Sequence, residues 1–347
     1  MGNVEIKTDP VPAGLSISDF RLDKIIGSGG FSEVWKATYM KTNREFAIKL
    51  MHKSRIVRKN CVSSVFNELQ LLSILKHPFI ANMQYAFQDR SNLYLVMDLM
   101  PGGDLRQFLG KKTLSESQTL FIISCILMGL EYLSINGVVH KDLKPENLVF
   151  DSKGYLRITD FGIAFRTGKF KERDGSGTPG YMSPESMFHK EQGPVSDCFA
   201  LGVIAYECML GKLPYCGKSR KEIKDKILSK QVQLKKNDVP QGWSLESADF
   251  INKLLQRNPE ERLGKNGILE IKNHSWVSNV QWKKMLEKKE NSPCKSNNPE
   301  TLPNLPIEMR RTDSDFDLEH VQKYFNGYKY QGNKNFGINS TILKKSL

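Results

Sequence analysis

The hydrophobic period of this chain changes at Pro101-Gly102-Gly103. Before the break, apolar residues largely alternate. After it, they recur every three or four positions. A period of two suits a strand and a period of 3.6 suits a helix, so the two parts cannot share one kind of secondary structure. From Phe20 to Met51, R-L-D-K-I-I-G, F-S-E-V-W-K-A-T-Y and E-F-A-I-K-L read as three strands, joined by a glycine-rich turn and by K-T-N-R. In residues 62–76, Val65, Phe66, Leu69, Leu72 and Leu75 keep helical spacing, which stops at His77-Pro78. Strand-like runs follow around residues 81–87 and 93–97. Beyond the break, Ser115-Glu116-Ser117-Gln118 forms a capping box that opens a long apolar helix ending near Asn136-Gly137. Helical patterns return at 198–211, 218–230 and 246–256. Strands followed by helices predict an α+β chain in two lobes, with the hinge near residues 97–103. The expected division is an N-terminal extension at 1–19, a small antiparallel-sheet lobe with one main helix at 20–100, a mostly helical lobe at 101–276 and a tail at 277–347.

The chain carries 51 Lys and Arg against 38 Asp and Glu, a formal charge of +13, which suggests acidic partners such as phosphates, anionic lipid or nucleic acid. A single-strand binder would interleave basic residues with aromatics on one face. Here the basic residues gather in short tracts such as 283–289, so no nucleic-acid partner is expected. Six cysteines lie scattered without a C-x-x-C pair, mostly within apolar runs. They read as buried reduced thiols and imply a reducing, cytoplasmic compartment. There is no secretory h-region, and the apolar segments at 120–133 and 199–210 are too short to span a bilayer.

Polar residues interrupt apolar text most sharply at V-V-H-K-D-L-K-P-E-N-L-V-F, residues 138–150. Titratable groups between buried runs are costly unless they are paired or used. Asp142 can accept a hydroxyl proton, Lys144 can neutralise a transferring phosphoryl group, and Asn147 offers an amide oxygen to a divalent metal. Asp160-Phe161-Gly162 follows the strand-like L-R-I-T, a carboxylate placed to hold metal on phosphates. Phosphoryl transfer needs this kind of positioned charge and little covalent help from the protein. Upstream, Gly27-Ser28-Gly29-Gly30 and Val34 surround a turn whose backbone N–H groups can approach phosphate oxygens. That turn precedes a strand and not a helix, which disfavours a dinucleotide-binding βα unit. Lys49 lies mid-strand in F-A-I-K. With Glu68 on the following helix it can form an ion pair that holds the lysine on a phosphate.

In order, Gly27–Val34, Lys49, Glu68, His140–Asn147, Asp160–Gly162 and Ser183-Pro184-Glu185 resemble the signature set of the eukaryotic protein kinases over roughly residues 20–276. Within that family, V-F-N-E-L-Q-L-L, H-P-F-I, F-Q-D and M-D-L-M-P-G-G-D-L-R resemble the AGC class of Ser/Thr kinases and its YANK group. The resemblance implies the bilobal kinase fold and transfer of the ATP γ-phosphate to protein Ser or Thr hydroxyls, with Mg2+ or Mn2+. It implies Asp142 as catalytic base, Lys144 as phosphoryl support, Thr178 as the residue bonding the catalytic aspartate, and Asn147 and Asp160 as metal ligands. It also places Met97 as gatekeeper, Asp98 and Met100 at the adenine, and Val34, Ala47 and Leu148 around the base. Glu185 and Arg262 would form a buried ion pair. Asp104, Glu146 and Glu207 match positions that bind basic residues upstream of the phosphoacceptor. Phe325 and Tyr328 resemble the hydrophobic motif that docks on the small lobe, with Lys329 where a phosphorylated residue often lies.

Several positions depart from the family pattern. Ser32 replaces a glycine, Ser183 an alanine, and Cys198-Phe199 two tryptophans. Lys141 stands for the arginine that holds an activation-loop phosphothreonine, and counting back from Gly177-Thr178 puts Asp174 at the phosphothreonine position. The two read as a pair that orders the loop without phosphorylation. None of these removes a catalytic group, which favours an active, monomeric enzyme over the alternative of a pseudokinase or ATP-binding scaffold. Met1-Gly2-Asn3 begins like an N-myristoylation signal, although Ile6 stands where Ser or Thr is expected. Modification of Gly2 would give reversible membrane association.

Overall fold

The computed structural model describes residues 14–110, 113–167, 175–188, 192–295 and 321–331. They fall into two units. Residues 14–73, 82–99 and 321–331 form one, and residues 74–81, 100–110, 113–167, 175–188 and 192–295 form the other.

The first unit is built on β1 (Phe20–Ser28), β2 (Ser32–Tyr39), β3 (Arg44–His52), β4 (Met83–Gln88) and β5 (Asn92–Asp98), with α1 (Lys53–Arg58) and α2 (Val62–Ile74) inserted after β3. All its strand pairs are antiparallel. Strand alternation sorts the side chains onto two faces. Phe20, Ala37, Phe46, Ile48, Tyr94 and Val96 make one apolar cluster. Register puts Val34 opposite Lys49, Lys36 opposite Ala47 and Ala47 opposite Met97, so Val34, Ala47, Lys49 and Met97 share the other face. Helix α2 buries Val65, Leu69, Leu71 and Leu72, and with them the carboxylate of Glu68.

A sixth strand, β10 (Tyr330–Gln331), pairs with β4 and covers the edge of the sheet. Just before it, Phe325 and Tyr328 are buried, and both rings pack on Phe66 of α2. Gln88 Nε2 donates to the Phe325 carbonyl at 2.8 Å, and Lys53 Nζ donates to Gln322 Oε1 at 2.5 Å. Burying a Phe side chain contributes about 1.5–3 kcal/mol. Phe325→Ala should therefore lower the melting temperature of this unit by a few degrees, read by near-UV circular dichroism. An unchanged melting curve would show that the tail adds nothing to the sheet.

The second unit contains α3 (Leu105–Leu109), α4 (Glu116–Ile135), β6 (Val138–Val139), β7 (Leu148–Phe150), β8 (Leu156–Ile158), β9 (Phe165–Arg166), α5 (Pro184–Met187), α6 (Pro194–Leu210), α7 (Arg220–Ser229), α8 (Leu245–Leu254), α9 (Ile268–Lys272) and α10 (Trp282–Leu286). The capping box at Ser115 is present, with Gln118 Oε1 accepting from the Ser115 N–H. Helix α4 runs 20 residues and is long and apolar enough to cross a membrane, longer than the segment read from sequence. Most of its apolar window is buried inside the protein, as in a core helix. Helices α6 and α8 approach closely at Gly202, where an added Cβ would come within 2.7 Å of Leu254 Cβ. The loop after β6 and the β7–β8 hairpin carry the residues of the sequence motif.

Two boundaries differ from the sequence reading. Residues 74–81 join the second unit because Ala81 N–H bonds the Ile158 carbonyl at 2.9 Å and His77 stacks on Tyr132 at 4.6 Å. Residues 277–295 join it too. Lys288 Nζ reaches Asp151 Oδ2 at 2.5 Å and lies over the Phe79 and Tyr155 rings, and the Tyr155 hydroxyl donates to the Glu290 carbonyl.

Burial, helped by the Lys288 and Arg157 charges, holds the pKa of His77 down to about 3. An unfolded histidine titrates near 6.5. Folded His77 therefore stays neutral where the unfolded chain takes up a proton. Its contribution is full above about pH 6.5 and is lost as pH falls toward 3. His77→Gln should flatten the loss of melting temperature between about pH 6 and 4. An unchanged acid slope would contradict this assignment.

Candidate active site

The loop between β6 and β7 is held from below by a carboxylate that the sequence reading did not single out. Asp197, in the first turn of α6, accepts the His140 N–H at 2.8 Å and the Lys141 N–H at 2.9 Å. Burial pushes its carboxyl pKa up, while the two N–H groups and nearby positive charge act against that. Lys141 takes a left-handed backbone, φ +68°, a conformation that costs a non-glycine residue energy and that Asp197 fixes. The His140 ring meets Phe161 edge-on at 5.1 Å and sits 3.0 Å from the Thr159 carbonyl. The loop is thereby tied to the D-F-G segment.

Asp142 projects from this anchored loop into a set of donors. Its Oδ1 accepts from Thr178 Oγ at 2.7 Å and from the Thr178 N–H at 3.0 Å. Its Oδ2 lies 2.8 Å from Lys144 Nζ and 3.2 Å from Asn147 Nδ2. Lys144 Nζ also donates to Thr178 Oγ at 2.9 Å, which closes a triangle of lysine, threonine and aspartate. Asn147 Nδ2 also donates to the Asp142 carbonyl at 2.8 Å. The Thr159 N–H bonds the Asn147 carbonyl at 3.0 Å, so Asn147 and Asp160 stand at the same end of the β7–β8 hairpin. Asp160 is exposed, has φ +64°, and accepts the Gly162 N–H.

In the first unit, Lys49 Nζ donates to both oxygens of Glu68, at 2.8 and 3.0 Å. Glu68 is 3% exposed, so the pair is screened little by water. Gly27 and Ser28 close β1, and Gly29 N–H bonds the Ser32 carbonyl at 2.8 Å in a tight turn. A Cβ on Gly29 would meet Ser32 Oγ at 2.9 Å, so Ser32 already fills the space that a further side chain would need. Gly30 offers its carbonyl to Lys59. Met97 and Ala47 are buried neighbours, and Asp98 is anchored through Gln84 Nε2 at 2.6 Å. Met100 and Leu148 are buried in the second unit.

Of the three carboxylates read as a basic-residue groove, Glu207 is buried and Glu146 is exposed. Asp104 caps α3, accepting the Gln107 N–H at 2.8 Å, and burial raises its pKa. Arg106 spans the other two, with Nε 2.8 Å from Glu146 and Nη1 2.6 Å from Glu207. A positive side chain of the chain itself already occupies them. Asp174 and Gly2 lie outside the described residues. Within these, Lys141 Nζ donates to Ser176 Oγ at 3.0 Å. The Glu185–Arg262 pair is present and buried, at 2.6 and 2.9 Å.

Among the described residues no cluster of three or more His, Cys, Asp or Glu could hold a metal by itself. Asp160 and Asn147 supply one carboxylate and one amide oxygen. That hard-oxygen set fits a cation such as Mg2+, which takes one or two carboxylates and completes its shell with water and substrate phosphate.

The family model of the protein kinase domain matches residues 20–277. The chain is 36% identical over 295 residues to a probable serine/threonine-protein kinase of Dictyostelium discoideum, covering 84% of this chain and 63% of that protein. It is 34% identical over 289 residues to the cAMP-dependent protein kinase catalytic subunit of Dictyostelium discoideum, covering 82% and 43%. It is 36% identical over 290 residues to serine/threonine-protein kinase AtPK1/AtPK6 of Arabidopsis thaliana, covering 80% and 59%. The chain thus spans about two fifths to two thirds of the length of these relatives.

Proposed function

We propose that this chain, which belongs to the protein kinase domain family, transfers the γ-phosphate of ATP to Ser or Thr hydroxyls of protein substrates. The observation that carries the reading is the convergence of Lys144, Thr178 and Asn147 on the carboxylate of Asp142. A substrate hydroxyl donates its proton to Asp142 as its oxygen forms a bond to the γ-phosphorus, and the bond to the bridging oxygen breaks to release ADP. Thr178 and Asn147 fix the carboxylate in rotation, so the base meets the hydroxyl in one orientation. Lys144 sits at the same carboxylate and balances negative charge on the group in flight. In the first unit Glu68 holds Lys49 extended for the α- and β-phosphates, and Val34, Ala47 and Met97 give the adenine an apolar wall. Asp160 and Asn147 would hold magnesium, which would supply charge neutralisation on the phosphates.

The finer placement among AGC-type kinases near the YANK group belongs to the same proposal. It is supported by the M-D-L-M-P-G-G-D-L-R run and by relatives named as cAMP-dependent kinases. Transfer of radiolabelled phosphate from ATP to a Ser/Thr peptide mixture tests the activity, with a fluorescent nucleotide as binding probe. Asp160→Asn should lose most of the magnesium-dependent part of nucleotide affinity. Equal affinity with and without magnesium in the unmodified protein would contradict the metal assignment.

A further inference from the structure

We propose that Arg106 determines peptide specificity: its guanidinium fills an acidic cradle beside the catalytic loop, so this enzyme does not select arginine upstream of the phosphoacceptor. The inference rests on the kinase reading and names the substrate class of the same site.

Arg106 is the second residue of α3, and Asp104 at the N-cap fixes where that helix begins. Its Nε donates to Glu146 Oε1, its Nη1 to Glu207 Oε1 at 2.6 Å, and its Nη2 to the Tyr181 hydroxyl and, at 3.4 Å, to Glu207 Oε2. Tyr181 in turn donates its hydroxyl proton to Glu207 Oε2 at 2.5 Å. Burial and the neighbouring Glu207 raise the pKa of that phenol, so it stays a neutral donor. Both oxygens of the buried Glu207 are therefore taken by protein donors.

Two elements place this cradle on the path of a substrate. Glu146 lies in the turn Pro145–Asn147, one residue before the asparagine that bonds Asp142. Tyr181 lies three residues after Thr178, which bonds Asp142 from the other side. A peptide whose hydroxyl meets Asp142 runs across both. The cradle's occupant also shows what it binds, since a planar fork matches paired carboxylates as no other side chain does. A peptide arginine must displace a tethered one, whose effective concentration is of the order of mM. It would also strand the Arg106 cation at a partly buried site.

The test measures kcat/KM for peptide pairs that differ by one arginine or alanine at successive positions before the serine. The unmodified protein should treat each pair alike, within about threefold, and Arg106→Ala should prefer one arginine peptide by about tenfold or more. Added guanidinium ion should fill the emptied cradle and return the ratio toward unity. Arg106→Lys keeps the charge without the fork and should shift the ratio the same way by less. A strong arginine preference in the unmodified protein, or an unchanged ratio in Arg106→Ala, overturns the inference. Anisotropy of the labelled peptides separates it from the kinase reading. A gain in arginine-peptide affinity without phosphate transfer by any form sinks the kinase reading and keeps the cradle. Transfer with an unchanged arginine ratio and no affinity gain does the reverse.

Discussion

Asp142→Ala is expected to lower kcat by about 10²- to 10⁴-fold, the range in which a positioned general base contributes. The substitution would remove the acceptor proposed for the substrate proton, and it leaves Thr178 Oγ, Lys144 Nζ and Asn147 Nδ2 without their shared partner. Nucleotide affinity should change little, because Lys49 keeps its pairing with Glu68 and Val34 and Ala47 keep their register on the sheet. A loss in kcat with an unchanged nucleotide Kd, from initial rates and fluorescent-nucleotide titration, checks both halves. Thr178→Ala should give a smaller loss, since the carboxylate keeps Lys144 and Asn147. Substantial turnover by Asp142→Ala would mean that another group takes the proton.

Arg262→Ala should be the most damaging change to stability. Arg262 is buried, holds both oxygens of Glu185, and donates to the Val195 and Gln256 carbonyls at 2.9 Å. Burial acts to raise the Glu185 carboxyl, and the Arg262 hydrogen bond and charge pull it below the usual range. Removing the arginine strands a carboxylate in the interior, which costs about 3–5 kcal/mol. For a unit of this size that corresponds to a fall in melting temperature of the order of 10 °C. The double change Arg262→Met with Glu185→Leu should recover much of the loss, because no uncompensated charge is left. Thermal melts of the two variants and the unmodified protein give the answer. A fall of under about 1 kcal/mol in Arg262→Ala would place the pair among those that contribute little.

The parts of this site legible in the sequence are those packed into short runs. H-K-D-L-K-P-E-N and D-F-G carry their geometry locally, because one loop and one hairpin end set their spacing. The strand meander was legible for the same reason, its alternation and turns being local. Lys49 and Glu68 sit 19 residues apart, yet each lies in an element whose period marks it as buried, and a charge there stands out. Asp197 and Arg106 were not legible as site residues. Asp197 bonds a backbone N–H 57 residues away, and Arg106 a carboxylate 101 residues away. Only packing brings such partners together. For Asp197 a signal existed, a carboxylate at the start of the apolar run of α6. Arg106 looks like any polar residue on a short helix. Asp104, Glu146 and Glu207 were legible as acidic positions, whereas the pairing of Arg106 with Glu146 and Glu207 is a contact that only the fold makes.

The central claim is that the Asp142 constellation performs chemistry and does not merely accompany a bound nucleotide. A single-turnover measurement tests it most directly. Protein in excess over radiolabelled ATP, with magnesium and a Ser/Thr peptide mixture, is quenched over time and assayed for phosphopeptide and ADP. Phosphoserine or phosphothreonine and ADP should appear together in equal amounts, and Asp142→Ala should bind the same nucleotide but form neither at a comparable rate. Nucleotide that binds and is recovered unchanged, with no phosphopeptide above the Asp142→Ala level, would contradict it and leave a nucleotide-binding scaffold.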